Sequence, residues 1–246
     1  MGRRAQAGAA CLGDGCVNVA AIDWTSVEAG LDATGFASLG VLIEADARAG
    51  LIGAYGESDL YRSHVHMARH GFGRGEYKYF RYPLPGPIAA LREALYPACA
   101  DIANRWAERM RTEMRYPPDH AEFIATCHAA GQTRPTPLML SYKSGDYNCL
   151  HQDLYGGIVF PLQVVILLSE ADDFDGGEFV MTEQRPRMQS RPHVVPLRAG
   201  EAVVFAVNER PVKGARGEYR VKMRHGVSTL TRGARFATGI IFHEAT

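Results

Sequence analysis

His151-Gln152-Asp153, followed 72 residues later by His225 and ten further on by Arg235, is the group of residues in this chain best suited to chemistry. Two imidazoles and one carboxylate make a facial triad, which holds non-haem Fe(II) from one side and leaves the other positions open for a co-substrate and O2. Arg235 adds a guanidinium that can fork onto the far carboxylate of a dicarboxylate co-substrate. The four residues together predict oxidation driven by Fe(II), O2 and a 2-oxo diacid, 2-oxoglutarate.

The surrounding sequence must bring them together. Residues i and i+2 of a strand project to one face, so His151 and Asp153 can chelate one ion if they lie on a strand. Leu138–Lys143 reads as a strand, Ser144-Gly145-Asp146 as a turn, and residues 150–155 as the short strand carrying the chelate. Strand-like runs follow at 160–169, 178–182, 194–197 and 202–207, broken at Asp175-Gly176-Gly177 and Ala199-Gly200. Residues 225–231 and 236–243 read as a last pair, separated by Arg232-Gly233-Ala234. Short strands with punctuating glycines predict an α+β protein built on a double-stranded β-helix, a jelly-roll or cupin-like barrel. Its mouth is where residues from distant strands meet. Residues 24–34, 39–55 and 88–114 carry apolar side chains at three- and four-residue spacing and predict helices packed on one face of the barrel. The expected layout is a tail over 1–21 and one oxygenase domain over 22–246. Within it, 22–135 form a largely helical support and lid, and 136–246 the jelly-roll core.

A second His-x-acid pattern and one His-x-His pair compete for a metal. His120-Ala121-Glu122 lies in a segment opened by Pro118 and Asp119 that reads as a helix, where i and i+2 point about 200° apart. His64-Val65-His66 has no carboxylate or basic partner at a useful spacing and reads as a surface or packing pair.

Composition bounds the reading. At 246 residues with a formal net charge of +0, the chain suits one catalytic domain. Residues 181–224 hold ten Lys/Arg against four Asp/Glu, a net of +6. Arg185, Arg187, Arg191, Arg210, Lys213, Arg216 and Arg220 could track phosphates there, or stand in solvated loops. In the segment 70–85, Phe72, Tyr77 and Tyr79 could stack a flipped base while Arg74 and Lys78 hold phosphate; the bland alternative is an aromatic strand packed on the barrel. Five cysteines, Cys11, Cys16, Cys99, Cys127 and Cys149, are irregularly spaced and predict reduced thiols in a cytoplasmic protein. No apolar run approaches the ~20 residues of a membrane span, and the N-terminal stretch is a poor signal peptide because Gly13-Asp14-Gly15 interrupts it.

The stretch Tyr142-x-x-Gly145-x-x-x-x-Leu150-His151-Gln152-Asp153 resembles AlkB-type oxidative demethylases. The wider text, from about Ile22 to Glu244, resembles a bacterial group of 2-oxoglutarate/Fe(II) oxygenases predicted to act on nucleic acids. Matching stretches include Arg74–Phe80, 131–137, 148–155, Gly176-Gly177-Glu178-Phe179-Val180, 183–191 and Arg224-His225-Gly226-Val227. The resemblance implies that His151, Asp153 and His225 bind iron, that Arg235 binds the distal carboxylate of 2-oxoglutarate, and that Tyr142 lines the same pocket. Tyr155 joins the substrate-side candidates. It further implies hydroxylation of a substrate C–H bond with release of succinate and CO2, with alkylated DNA or RNA as the expected substrate. One position departs: AlkB-type enzymes carry a second arginine six residues after the first, and here that position is Ile241. A single arginine at this spacing looks more like prolyl and other protein hydroxylases, which makes a protein, amino-acid or other small-molecule substrate the alternative. A non-enzymatic cupin-like binding protein would have no use for both triad and arginine.

Overall fold

In the computed structural model, which describes residues 19–215 and 217–246, Asp23 opens the first helix. Its carboxylate accepts from Thr25 N at 3.1 Å and Ser26 N at 3.3 Å, capping α1 (Trp24–Thr34), and Gly35 closes the helix at φ 87°. Residues 1–18, with Cys11 and Cys16, and Arg216 lie outside the described residues; Val19–Ala21 form a short 3-10 turn where the sequence suggested tail. The chain continues through β1 (Phe36–Val41), α2 (Ala45–Gly53), β2 (Tyr61–His66), β3 (Gly73–Arg74), β4 (Glu76–Phe80), α3 (Gly86–Arg109) and α4 (His120–Ala129). Ten strands complete it: β5 (Leu138–Lys143), β6 (Tyr147–His151), β7 (Leu162–Leu167), β8 (Phe174–Gly176), β9 (Phe179–Gln184), β10 (Arg191–Val195), β11 (Glu201–Ala206), β12 (Glu209–Gly214), β13 (Gly217–Val227) and β14 (Leu230–Ile241).

The strands form two antiparallel sheets, the double-stranded β-helix expected. The major sheet runs β1-β11-β7-β14-β5-β4-β2, with β8 beside β14; the minor runs β10-β9-β13-β6-β3, with β12 beside β13. In the major sheet, Leu138, Leu140, Val165 and Ala237 face the space between the sheets. Met139, Val164, Ile166 and Ile240, one residue out of phase, belong to the core shared with α3. That helix buries Ile88, Leu91, Leu95, Cys99, Ile102 and Trp106, a stripe at three- and four-residue steps. β7 is therefore covered on both sides and buried throughout, which explains its unbroken apolar run. Arg92, also buried, ties α3 to the end of β14: it donates to Ile241 O at 2.8 Å and pairs with Glu244 at 2.8 Å. No helix among the described residues is long and apolar enough to cross a membrane.

Four expectations need correction. The helix expected over 39–55 is strand β1 followed by α2, because Phe36–Val41 pairs with β11 and adds an edge to the major sheet. The N-terminal half is thus not only helical support: β1, β2 and β4 are part of that sheet. Residues 209–224, read as basic loops, are a β12–β13 hairpin that buries Arg210. And Arg232-Gly233-Ala234 is not a turn: β14 begins at Leu230, and its first residues pair with β8.

His120 sits on α4 as expected of a helix, with Nε2 donating to Phe242 O at 3.0 Å and its ring 4.8 Å from that of Tyr96, while Glu122 is exposed. Burial, with Arg92 nearby, pushes its pKa from 6.5 down to about 4. On acidification the unfolded imidazole takes up a proton near 6.5 while the folded one resists until about 4, so the unfolded state gains across that window. Urea midpoints should fall between about pH 7 and about pH 5, and His120→Gln should flatten part of that fall; parallel curves for the two proteins would contradict the assignment.

Candidate metal centre and co-substrate pocket

His151 and His225 are register partners. His151 ends β6, His225 lies within β13, and their rings stand 4.2 Å apart. Asp153 follows two residues after His151, just beyond the end of the ladder, since β6 stops at His151. The result is the expected cluster. Asp153 Oδ1 is 3.5 Å from His151 Nε2, Oδ2 is 3.3 Å from His225 Nε2, and one ligand atom from each lies within 4.8 Å of the others.

Contacts around the three fix their orientation. His151 Nδ1 lies 2.8 Å from Cys149 O, so Nδ1 carries the proton and Nε2 is left to bind a metal. His225 is wedged against Phe205 at 4.7 Å and Phe179 at 5.9 Å between ring centres. Burial alone would raise the Asp153 carboxyl, but a hydrogen bond from His225 and the charges of both histidines hold it below the usual range. Tyr155 donates to Asp153 Oδ1 at 2.6 Å, which makes it a positioning residue for the carboxylate. Burial, then Asp153, pushes its own hydroxyl up, so it stays a donor.

The opposite wall comes from the major sheet. Arg235 on β14 and Tyr142 on β5 are also register partners, and both are buried. No ion pair reaches Arg235 among the described residues; its guanidinium lies 5.8 Å from the Tyr142 ring centre and 5.9 Å from that of Phe174. The Tyr142 hydroxyl is buried without a well-formed hydrogen bond. An isolated buried cation is costly, and a cation with an unpartnered hydroxyl beside it fits an incoming carboxylate. Between the walls is a cavity of about 310 Å³, lined by the triad, Arg235, Tyr142 and apolar side chains such as Leu140 and Val165. Triad and guanidinium therefore face one pocket, whose donors suit Fe(II) and a 2-oxo diacid.

The substrate-side candidates divide. Phe72, Tyr77 and Tyr155 line the pocket, Phe72 as an exposed lip. Arg74 is exposed on β3, paired in register with Tyr147 beside that lip. Tyr79 is buried and packs on Tyr155, 6.2 Å between ring centres, so it cannot stack a base. Lys78 points to the other face of the sheet, donating to Tyr55 O at 2.8 Å. Arg185, Arg187 and Arg191 do not line the pocket: Gln184 ends β9 five residues past Phe179, about 16 Å along the strand at ~3.3 Å per residue. Arg185 is also paired with Glu183, and Arg210 is buried against the same carboxylate.

Gly226 is a site residue whose role the structure reveals. A Cβ there would meet Asn148 O at 2.6 Å and Cys149 O at 3.2 Å, so only glycine lets β13 lie this close to β6 beside the two histidines. Its place directly after the distal histidine was the available signal. Gly226→Ala should weaken Fe(II) binding at the triad about tenfold or more, and Asp153→Ala should abolish it. His120→Ala should leave it intact. The visible charge-transfer absorption of the anaerobic Fe(II)–2-oxoglutarate complex reports this site alone; an unchanged band in Asp153→Ala would refute the ligand set.

Comparison with known proteins agrees. The sequence profile of the Oxygenase-NA family, described as an oxygenase catalysing oxidative methylation of damaged DNA, matches residues 75–245. Two uncharacterised proteins of Mycobacterium tuberculosis, from strains CDC 1551 and H37Rv, are each 49% identical over 167 residues, 68% of this chain and 72% of theirs. An oxidoreductase of the 2OG-Fe(II) oxygenase family from Burkholderia pseudomallei superposes with a TM-score of 0.53 at 18% identity, covering 91% of this chain and 92% of its own. A prolyl hydroxylase from Trichoplax adhaerens, solved with a peptide fragment of the hypoxia inducible factor oxygen degradation domain, superposes at 0.51 and 12% identity, covering 88% and 86%. These two establish the fold. The chain belongs to the Oxygenase-NA family, an oxygenase on the double-stranded β-helix of the 2OG-Fe(II) oxygenases, with a site that fits Fe(II), 2-oxoglutarate and O2.

Proposed function

We propose that this protein oxidises an alkyl carbon on a nucleic-acid base, with 2-oxoglutarate as co-substrate. The carrying observation is the pocket itself, with a buried, ion-pair-free Arg235 on one wall and the His151–Asp153–His225 cluster on the other. In this reading His151, Asp153 and His225 hold Fe(II). Arg235 forks onto the far carboxylate of 2-oxoglutarate, and the Tyr142 hydroxyl donates to that carboxylate. The bound metal supplies O2 activation coupled to decarboxylation of the 2-oxo acid to succinate. The chain's own work is positional. Tyr155 keeps Asp153 turned towards the histidines, and Leu140, Val165 and Phe205 keep bulk water from the floor. Hydroxylation of an N-methyl carbon leads to loss of formaldehyde, so the outcome on a methylated base is removal of the methyl group.

The lip supports the substrate class. Phe72 and Leu150, 48% and 45% exposed, border the pocket, and Tyr77 lies inside it. Exposed apolar side chains at a pocket mouth suit a base that must leave its stack. Arg74 is exposed next to this lip and makes no ion pair among the described residues, so it can meet a phosphate. The family match points the same way.

Iron-loaded protein should form succinate with methylated oligonucleotides well above the level with unmethylated ones, and binding should weaken steeply with salt. Arg74→Ala should lower the salt slope, and the triple replacement of Arg185, Arg187 and Arg191 should leave it nearly unchanged. Stimulation by peptides and not by oligonucleotides would instead favour protein hydroxylation. For the co-substrate, Arg235→Ala deprives a buried carboxylate of its partner, a loss of about 2–5 kcal/mol, and should raise the KM for 2-oxoglutarate tens-fold or more. Arg232, exposed and paired with Asp175 at 2.6 Å, should matter no more than a few-fold. The reverse order in steady-state kinetics would overturn this pocket assignment.

A further inference from the structure

His64, His66 and Glu76 form a second cluster of metal-ligating side chains, away from the pocket. His64 and His66 alternate on β2, so both imidazoles leave the same face of the strand. Glu76, on β4, is the register partner of His66. Its Oε2 lies 2.8 Å from His64 Nε2 and 3.5 Å from His66 Nδ1; the two imidazole rings are 4.3 Å apart. One ligand atom from each residue falls within 4.8 Å of the others. Metal–ligand distances of about 2.0–2.2 Å place the donors of a tetrahedral zinc site about 3.3–3.6 Å apart. Small rotations of partly exposed side chains reach that geometry.

The face is the outer one. Tyr77 lines the pocket, so Glu76 and Lys78 on either side of it along β4 point the opposite way. Tyr55 donates to Glu76 Oε1 at 3.3 Å, which leaves Oε2 turned to the imidazoles. Lys78, the cation sharing this face, is held elsewhere: its Nζ donates to Tyr55 O and lies 4.2 Å from the Tyr55 ring centre. β2 is the last strand of the major sheet, so a bond across β2 and β4 would pin this edge strand to its one neighbour. It also spans the root of the 67–75 segment, where Met67 N donates to Gly75 O at 3.0 Å and which carries Phe72 to the lip.

We propose that His64, His66 and Glu76 bind a second divalent transition-metal ion, with zinc the best match, independent of the catalytic iron. Two imidazoles and one carboxylate suit zinc, nickel or cobalt better than magnesium or calcium, which prefer all-oxygen sites. Water completes the fourth position, since no further histidine, cysteine or carboxylate joins the group among the described residues.

The test is metal stoichiometry in metal-stripped protein dialysed against micromolar zinc and read by elemental analysis. The wild type should hold two equivalents, because the pocket triad also accepts zinc. His64→Ala with His66→Ala should hold one, while still developing the Fe(II)–2-oxoglutarate absorption of the pocket. Asp153→Ala should hold one, and combining all three substitutions should leave none. Glu76→Gln, which keeps size and hydrogen bonding, should release its zinc at lower chelator concentration than the wild type. Unchanged stoichiometry in the double histidine variant, or a wild type with one equivalent that Asp153→Ala abolishes, would overturn the proposal.

Discussion

Everything at this site depends on one cross-strand pair. His151 and His225 lie opposite each other where β6 meets β13, and that register places two imidazoles a ring's width apart. A slip of one residue would turn one of them to the other face of the minor sheet. The pairing is irregular at this point: Val227 partners Asn148, so the ladder shifts between residues 225 and 227. Gly226 sits in that shift, pressed against the Asn148 and Cys149 carbonyls. The backbone there is shaped to aim side chains, at the expense of a regular ladder, as bulges near active sites commonly are.

The second wall answers the first. Arg235 and Tyr142 are held in register on neighbouring strands of the major sheet, and burial lowers the guanidinium's pKa from its ordinary value. Such an arrangement is destabilising for the protein by itself and is stabilised by a dicarboxylate. Asp153 shows the opposite balance. It is as deeply buried, yet two histidines and Tyr155 surround it, so its charge is kept. One wall gathers the donors of a metal site, and the other buries a cation that suits an anion. The major sheet can bury such a group because α3 seals its outer face and Arg92 ties that helix to the end of β14.

Much of this was legible in the sequence, and the exceptions have physical reasons. His151, Asp153, His225 and Arg235 stood out because few residue types do this chemistry and their order along the chain is simple. β5 and α1 match the sequence reading to the residue, the first from its apolar character and the second from apolar side chains at three- and four-residue spacing. Leu39, Leu42 and Ile43 fit a helical spacing, which is why the sequence suggests a helix where pairing with β11 makes β1 a strand. The β12–β13 hairpin looks like loop in the sequence because its many charges hide the alternation of a strand. Lys78 and Tyr79 were placed beside a substrate, although their facing depended on which side of β4 met the barrel. Glu76 was not seen as the partner of His66 for the same reason: ten residues apart in sequence, they meet only through the β2–β4 register.

The central claim is that one pocket joins the triad to Arg235, and a structure of the protein bound to Mn(II) and 2-oxoglutarate tests it most directly. The account predicts metal density bonded to His151, Asp153 and His225, with the far carboxylate of 2-oxoglutarate forked onto the Arg235 guanidinium and within hydrogen-bond reach of the Tyr142 hydroxyl. Metal at the triad with the co-substrate carboxylate on any other basic residue, or no metal at the triad, would contradict it.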